Sequence, residues 1–224
     1  MTVGAVLEVA AKRSFASALD WPGWSRGGKS PDDALAALVA YAPRYAAVAA
    51  RAGLAFEVPG SVDAVEITER LRGGSGTEFG IPSTPARAEE EPVAGDLDRL
   101  VALLRAAWDT FDEAMAGAEG RRLATGPRGG GRDLARIVDH VRDAEVAYLS
   151  KLGSRAPAAS DRPPTERLAA LRTAFVDALT AIASGEPVPT PSRTQKLWSP
   201  RYAVRRTAWH VLDHAWELQD RIPR

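Results

Sequence analysis

Arg205–Arg221 reads RRTAWHVLDHAWELQDR and carries two of the chain's three histidines, His210 and His214. Val204, Ala208, Val211, Ala215 and Leu218 recur at three- and four-residue steps, so the segment is predicted to be an amphipathic helix. Four residues apart, His210 and His214 then lie one turn apart on a single face, at one border of the apolar stripe. Glu217 follows His214 by three residues. Trp209, Leu212 and Trp216 fall on the opposite border, where they pack either on a neighbouring helix or on another domain or partner. The small central residues of the stripe let another helix approach closely.

The third histidine, His140, sits between Ile137 and Ala144 on the inward stripe of a second predicted helix. If the two helices face each other, three neutral imidazoles can hold a divalent metal and leave positions open for water or substrate. The competing reading is three core histidines, each with a satisfied hydrogen bond. The segment is not a zincin helix, because Val211 stands where the catalytic Glu of H-E-x-x-H would be. Asp139, Asp143 and Glu217 are candidates to orient imidazole N–H groups from behind the ligands. Pairing with Arg142, Arg206 or Arg221 is their alternative use.

Outward from these helices, residues 96–224 divide into four helical patterns. Asp96 precedes a stripe of Leu97, Leu100, Val101, Leu104, Trp108, Phe111 and Met115, closed by Gly117–Gly120. Asp133 opens the helix of His140. A third begins near Thr165 and carries Leu168, Leu171, Phe175, Leu179 and Ile182. Ser199-Pro200 supplies an N-cap and first-turn proline for the last. Four helices of about twenty residues describe a four-helix bundle. GPRGGGR, at 126–132, is read as a flexible connection in preference to an anion site, since it lacks the Lys-Ser/Thr ending of a P-loop.

The first 72 residues read differently. Val6–Ala10 and Ser14–Leu19 are short β-rich runs joined at Lys12-Arg13, a hairpin pattern. Asp20-Trp21-Pro22-Gly23 breaks the second run, and Trp21 and Trp24 are expected to cover the start of the following helix. Ser30-Pro31-Asp32-Asp33 gives that helix a cap, a first-position proline and an acidic first turn, with Pro43 a kink or break. Phe56–Val58 and Val65–Leu71 are further candidate strands. Residues 73–95, rich in Gly, Pro, Ser, Thr and Glu, read as a linker or arm pinned by Phe79 and Ile81, with Glu89-Glu90-Glu91 as solvated surface. The fold expected is α+β, with units at 1–72 and 96–224.

Composition narrows the function. Lys plus Arg and Asp plus Glu number 29 each, which argues against nucleic-acid or membrane-surface partners. The absence of cysteine removes disulfides, thiolate ligands and a cysteine nucleophile. No signal-peptide pattern opens the chain and no run reaches membrane-spanning length, so a cytoplasmic protein is expected. A small-molecule substrate is the expected partner, and a homodimer is compatible with the sequence.

Two resemblances sharpen this reading. Phe15, Asp20-Trp21-Pro22-Gly23 and Gly28-Lys29-Ser30-Pro31-Asp32-Asp33-Ala34-Leu35 resemble the HicB-like fold, a small β–β–α–β unit. In toxin–antitoxin systems such domains bind a toxin or belong to a repressor, but no DNA-reading element accompanies them here. IVDHVRDAEVAYL and RRTAWHVLDHAWELQDR resemble the DinB/YfiT-like superfamily of metal-binding four-helix bundles. The resemblance implies His140, His210 and His214 as ligands of a divalent metal (Zn, Ni or Mn), with a low-molecular-weight thiol as a cosubstrate in some relatives. Relatives include thiol-dependent S-transferases and a mycothiol-dependent maleylpyruvate isomerase. The isomerase has a Glu where this chain has a third His, so its activity is not carried over. A thiol-dependent transferase or hydrolase is the first functional reading. A non-catalytic metal-binding or partner-binding regulatory module is the second.

Overall fold

The structure is a computed structural model that describes residues 2–125, 131–158, 163–187 and 196–223. The chain is mixed α+β: a four-stranded sheet at the N-terminus, then helices. In chain order the elements are β1 (Val3–Val9), β2 (Ser14–Ala18), β3 (Ser25–Gly28), α1 (Pro31–Arg51), β4 (Val65–Arg72), α2 (Ser75–Phe79), α3 (Leu97–Ala118), α4 (Leu134–Lys151), α5 (Pro164–Ala183) and α6 (Pro200–Arg221). Sheet order is β3-β2-β1-β4, with β1 antiparallel to β2 and parallel to β4. The strand β3 is an addition to the expected β–β–α–β order. Its sequence, SRGG, has little β propensity, and it forms by pairing with β2 across the turn at 19–24. Phe56–Val58, expected as a strand, is irregular.

Local signals account for most boundaries. Ser30 Oγ accepts from the Asp33 N–H while Asp33 accepts from the Ser30 N–H, a reciprocal cap ahead of Pro31. The helix then runs unbroken through the exposed Pro43. Asp133 caps α4 by accepting from the Arg136 N–H. Trp24 is fully buried, donates from Nε1 to the Leu38 carbonyl at 2.9 Å, and stacks on Tyr45. Trp21 and Phe56 complete that aromatic cluster.

The central element is α6, with 16 of its 22 residues buried. It packs along α3 and α4 on one side. On the other it meets the N-terminal unit. Trp209 sets its ring edge-on to Phe15 of β2, and Trp216 tilts against Tyr41 of α1. The two tryptophans therefore face the sheet and α1. Gly23 adopts a positive φ of 96°, and a Cβ there would meet Ala208 Cβ and Leu212 Cδ1 at 2.9 Å. Only glycine lets this turn seat on α6. One hydrophobic cluster accordingly runs from Ala5, Leu7 and Tyr45 through Leu103 and Phe111 to Val211 and Leu218.

Residues 73–95 are fastened to the body. Glu8 of β1, 2% exposed, accepts from the hydroxyls of Thr77 and Thr84 and the Thr84 N–H. Glu89 corrects the expectation of a solvated acidic run. It is 4% exposed and forms a two-point ion pair with Arg205, which also donates to the Thr84 carbonyl. Glu89 reads as surface locally because its partner lies 116 residues away. Phe79 is 77% exposed and pins nothing. The Gly-rich connection at 126–130 lies outside the described residues. No helix among the described residues is long and apolar enough to cross a membrane.

Glu145 on α4 was not singled out by sequence. It is 1% exposed, its carboxylate 3.6 Å from Arg172 Nε of α5. Burial pushes its pKa up to about 7 from 4.5, against the opposing pull of Arg172.

Two predictions follow from these buried carboxylates. Glu89→Ala strands the Arg205 cation in the core and is expected to cost about 3–5 kcal/mol in chemical denaturation. A cost below about 1 kcal/mol would show that the pair is not closed in solution. For Glu145, the folded state holds a proton that the unfolded chain releases at about 4.5. Its contribution is full below that value and is lost as pH rises to about 7. Urea titrations from pH 4.5 to 7 should therefore show Glu145→Gln gaining on the parent by about 3 kcal/mol. A constant gap would mean an ordinary carboxyl.

Candidate metal centre

His140, His210 and His214, all the histidines of the chain, converge where α4 meets α6. The helices run antiparallel here. His140 meets His210 and His214, while Tyr148, two turns further along α4, meets Arg206, two turns earlier on α6 than His214. The three rings stand 4.8–5.1 Å apart between centroids, His214 edge-on to the other two. One nitrogen from each lies within 4.8 Å of the others, and His140 Nε2 and His210 Nε2 are 3.2 Å apart. Imidazole nitrogens about 2.0–2.1 Å from a tetrahedral cation are separated by about 3.3 Å. The closest pair already has that spacing, and a wider one closes by side-chain rotation. The donor set thus fits a divalent borderline cation.

The charge state fits as well. Burial, and then the proximity of His214, lower the pKa of His140. Burial lowers His210 well below its ordinary value, with His214, His140 and Arg206 adding to the effect. Both rings are therefore neutral, the form that ligates. His210 and His214 are 7% and 9% exposed, and His140 is half-buried, so the cluster opens toward α4.

Behind the cluster lies Glu217, on the next turn of α6 after His214. His214 Nδ1–H donates to Glu217 Oε2 at 2.9 Å, so in the ligating ring Nε2 would be the lone-pair nitrogen. Arg221 Nη1 donates to Glu217 Oε1 at 2.7 Å, and Arg221 is itself tied to the carbonyls of Ala124 and Arg132. The hydrogen bond from His214, with help from Arg221, holds the Glu217 carboxyl below the usual carboxylate range. Asp139 and Asp143 are not part of this shell. Both are exposed and accept hydrogen bonds from Arg142, and neither bonds to an imidazole. Both aspartates leave α4 on its solvent side.

Two residues beside the cluster carry signals that sequence reading passed over. Tyr148, with its ring 5.8 Å from that of His210, accepts from Arg206 Nη2 at 3.0 Å. Arg206 is 4% exposed. Its spacing was the available clue, since 206, 210 and 214 are successive turns of one face. His210 Nδ1 is buried and has no hydrogen-bond partner among the described residues. Comparison of the chain with family models, with curated proteins and with solved structures finds no match in any of the three.

Proposed function

We propose that the protein is a divalent-metal-dependent enzyme of the DinB-like superfamily, acting as a thiol-dependent transferase or a hydrolase on a small molecule. The observation that carries this reading is the meeting of His140 with His210 and His214, one histidine from α4 and two from α6. The N-terminal sheet and α1 form, on this reading, a HicB-like unit fused to a DinB-like bundle. A divalent cation held by the three imidazoles supplies Lewis acidity, lowering the pKa of a water or thiol that reaches it.

The chain's own residues set the conditions. Three neutral imidazoles leave the cation's charge uncompensated. Glu217, clamped by Arg221, fixes His214 in the tautomer whose Nε2 faces inward. The cluster is most exposed at His140, the side from which a small molecule would approach, while α6 shields the other side. With no cysteine in the chain, any thiol arrives as a cosubstrate. The competing reading is a purely structural cluster, favoured by the Nε2 contact of His140 and His210, which is short enough for one ring to donate to the other.

Metal content separates the two readings. Untagged protein offered Zn, Ni and Mn salts, then desalted, is expected to retain about one ion per chain by plasma mass spectrometry. His140→Ala and His210→Ala should lose it, and Glu217→Gln should weaken affinity about 10–100-fold. A parent that retains none, while both alanine variants unfold at lower denaturant, would leave the histidines as core residues.

The pH at which metal is released tests the same site independently. Protons compete with the cation for imidazole nitrogen, and the lowered pKa of His140 and His210 weakens that competition. Release is therefore expected below about pH 6.5, the ordinary imidazole value. Half-loss above that pH, followed by dialysis and metal analysis, would contradict neutral ligands.

A further inference from the structure

Arg206 shares the face of α6 that carries His210 and His214, one turn ahead of His210. Its guanidinium sits over the rings of Tyr148 and Trp209, 5.4 and 4.9 Å from their centroids. Its single hydrogen bond among the described residues goes to Tyr148 Oη. Nε and Nη1 are out of solvent and have no hydrogen-bond partner among the described residues. Of the nearby carboxylates, Glu89 and Glu217 pair with Arg205 and Arg221, and the buried Glu145, one turn before Tyr148 on α4, lies 3.6 Å from Arg172 with its pKa raised to about 7. A guanidinium cannot shed its charge, and burying unmatched N–H groups costs stability.

The adjacent Arg205 shows how this fold matches an arginine used for structure. Two of its nitrogens meet Glu89 and a third contact goes to the Thr84 carbonyl. Arg206 has no such set. Tyr148 is similarly incomplete. Its oxygen accepts from Arg206, and its own O–H has no acceptor among the described residues, whereas the hydroxyls of Tyr45 and Tyr202 each donate to a carbonyl. Burial raises the pKa of Tyr148, with Arg206 opposing, so the hydroxyl keeps its proton at neutral pH. Tyr148 and His140 lie on the same side of α4, both half-buried, and are therefore reached from the same edge.

We infer that Arg206 and Tyr148 form an oxyanion subsite beside the histidine cluster, one that binds the carboxylate of a small monoanionic substrate or cosubstrate. A single unmatched cation and a single hydroxyl donor match one negative charge. A phosphate dianion would need a second cation, and the next one along α6, Arg205, is neutralised by Glu89. The subsite itself is read from Arg206 and Tyr148, and only its service to catalysis rests on the proposed metal function.

The test uses the full chain labelled with 15N-arginine, in metal-free and zinc-treated forms. The Arg206 Nε resonance is identified by its absence in Arg206→Lys. Each form is titrated with 3-mercaptopropionate and with its neutral counterpart 3-mercaptopropanol. The resonance is expected to shift saturably with the carboxylate and not with the alcohol in both forms, with a preference of about ten-fold or more. Tyr148→Phe should weaken the carboxylate's binding while leaving zinc content unchanged. An Arg206 signal that stays still in both forms, or moves equally with the alcohol, would overturn the subsite. Tighter binding of inorganic phosphate than of the carboxylate would overturn the monoanion assignment. A chain that takes up no zinc yet shifts Arg206 with the carboxylate removes the metal function and keeps the subsite. Zinc uptake with an unmoved Arg206 does the reverse.

Discussion

A helix buried on nearly all sides must find partners inside the protein for every polar group it carries. In α6 this applies to Arg205, Arg206, Thr207, His210, His214 and Arg221, all within the buried set. Apolar neighbours cannot serve them, because an unpaired buried charge costs several kcal/mol. The rest of the molecule is arranged around this demand. Residues 73–95 come back across the sheet and deliver Glu89 to Arg205. The approach to α4 offers the carbonyls of Ala124 and Arg132 to Arg221. Asp213 and Asp220, at the helix's outer edge, pair with Arg26 and Arg44, which also lie over Tyr41 and so tie α6 to β3 and α1. The N-terminal unit is thus an integral wall of the core around α6.

The same demand explains why the histidines gather. An imidazole can be buried neutral at modest cost, and its two nitrogens accept different partners. Along one face of α6, Arg206, His210, His214 and Glu217 follow at successive turns, with α4 opposite supplying Tyr148 and His140. Each end of this polar stripe is anchored differently. At the C-terminal end the relay from His214 to Glu217 to Arg221 is closed, with every charge answered. At the N-terminal end it stays open at Arg206.

How much of this was legible from sequence depended on the range of the interaction involved. Caps are local, so Ser30, Asp133 and Ser199-Pro200 announce their helices. The i, i+4 histidines and the Glu217 that hydrogen-bonds His214 are also local, three and four residues apart on one helix. Register across chains of contacts is not local. The strand Ser25–Gly28 forms only because β2 is beside it. Glu89 looks solvated until Arg205 is placed opposite, and Trp209 and Trp216 show no preference for sheet or helix until α1 and β2 arrive. Asp139 and Asp143 were near the right residue in sequence, but α4 turns them outward to Arg142. That His140 reaches the other two histidines depended on the helices packing antiparallel, which no single stripe encodes.

The electrostatics of the stripe constrain what can bind it. His140 and His210, held neutral by burial, contribute no charge, Glu217 is already balanced by Arg221, and Arg206 adds a cation about one turn from His210. A divalent ion at the histidines would therefore face a like charge across a short, poorly screened distance, where interactions are several times stronger than in water. Such an arrangement is stable only when anions join it. An anionic ligand at the histidines would answer one excess charge, and a carboxylate at Arg206 and Tyr148 would answer another. On the proposed metal reading, the site would favour a molecule that brings negative charge at both ends over a neutral one of the same shape. Selectivity on that reading would come from charges the protein leaves unmatched, more than from the contacts it completes.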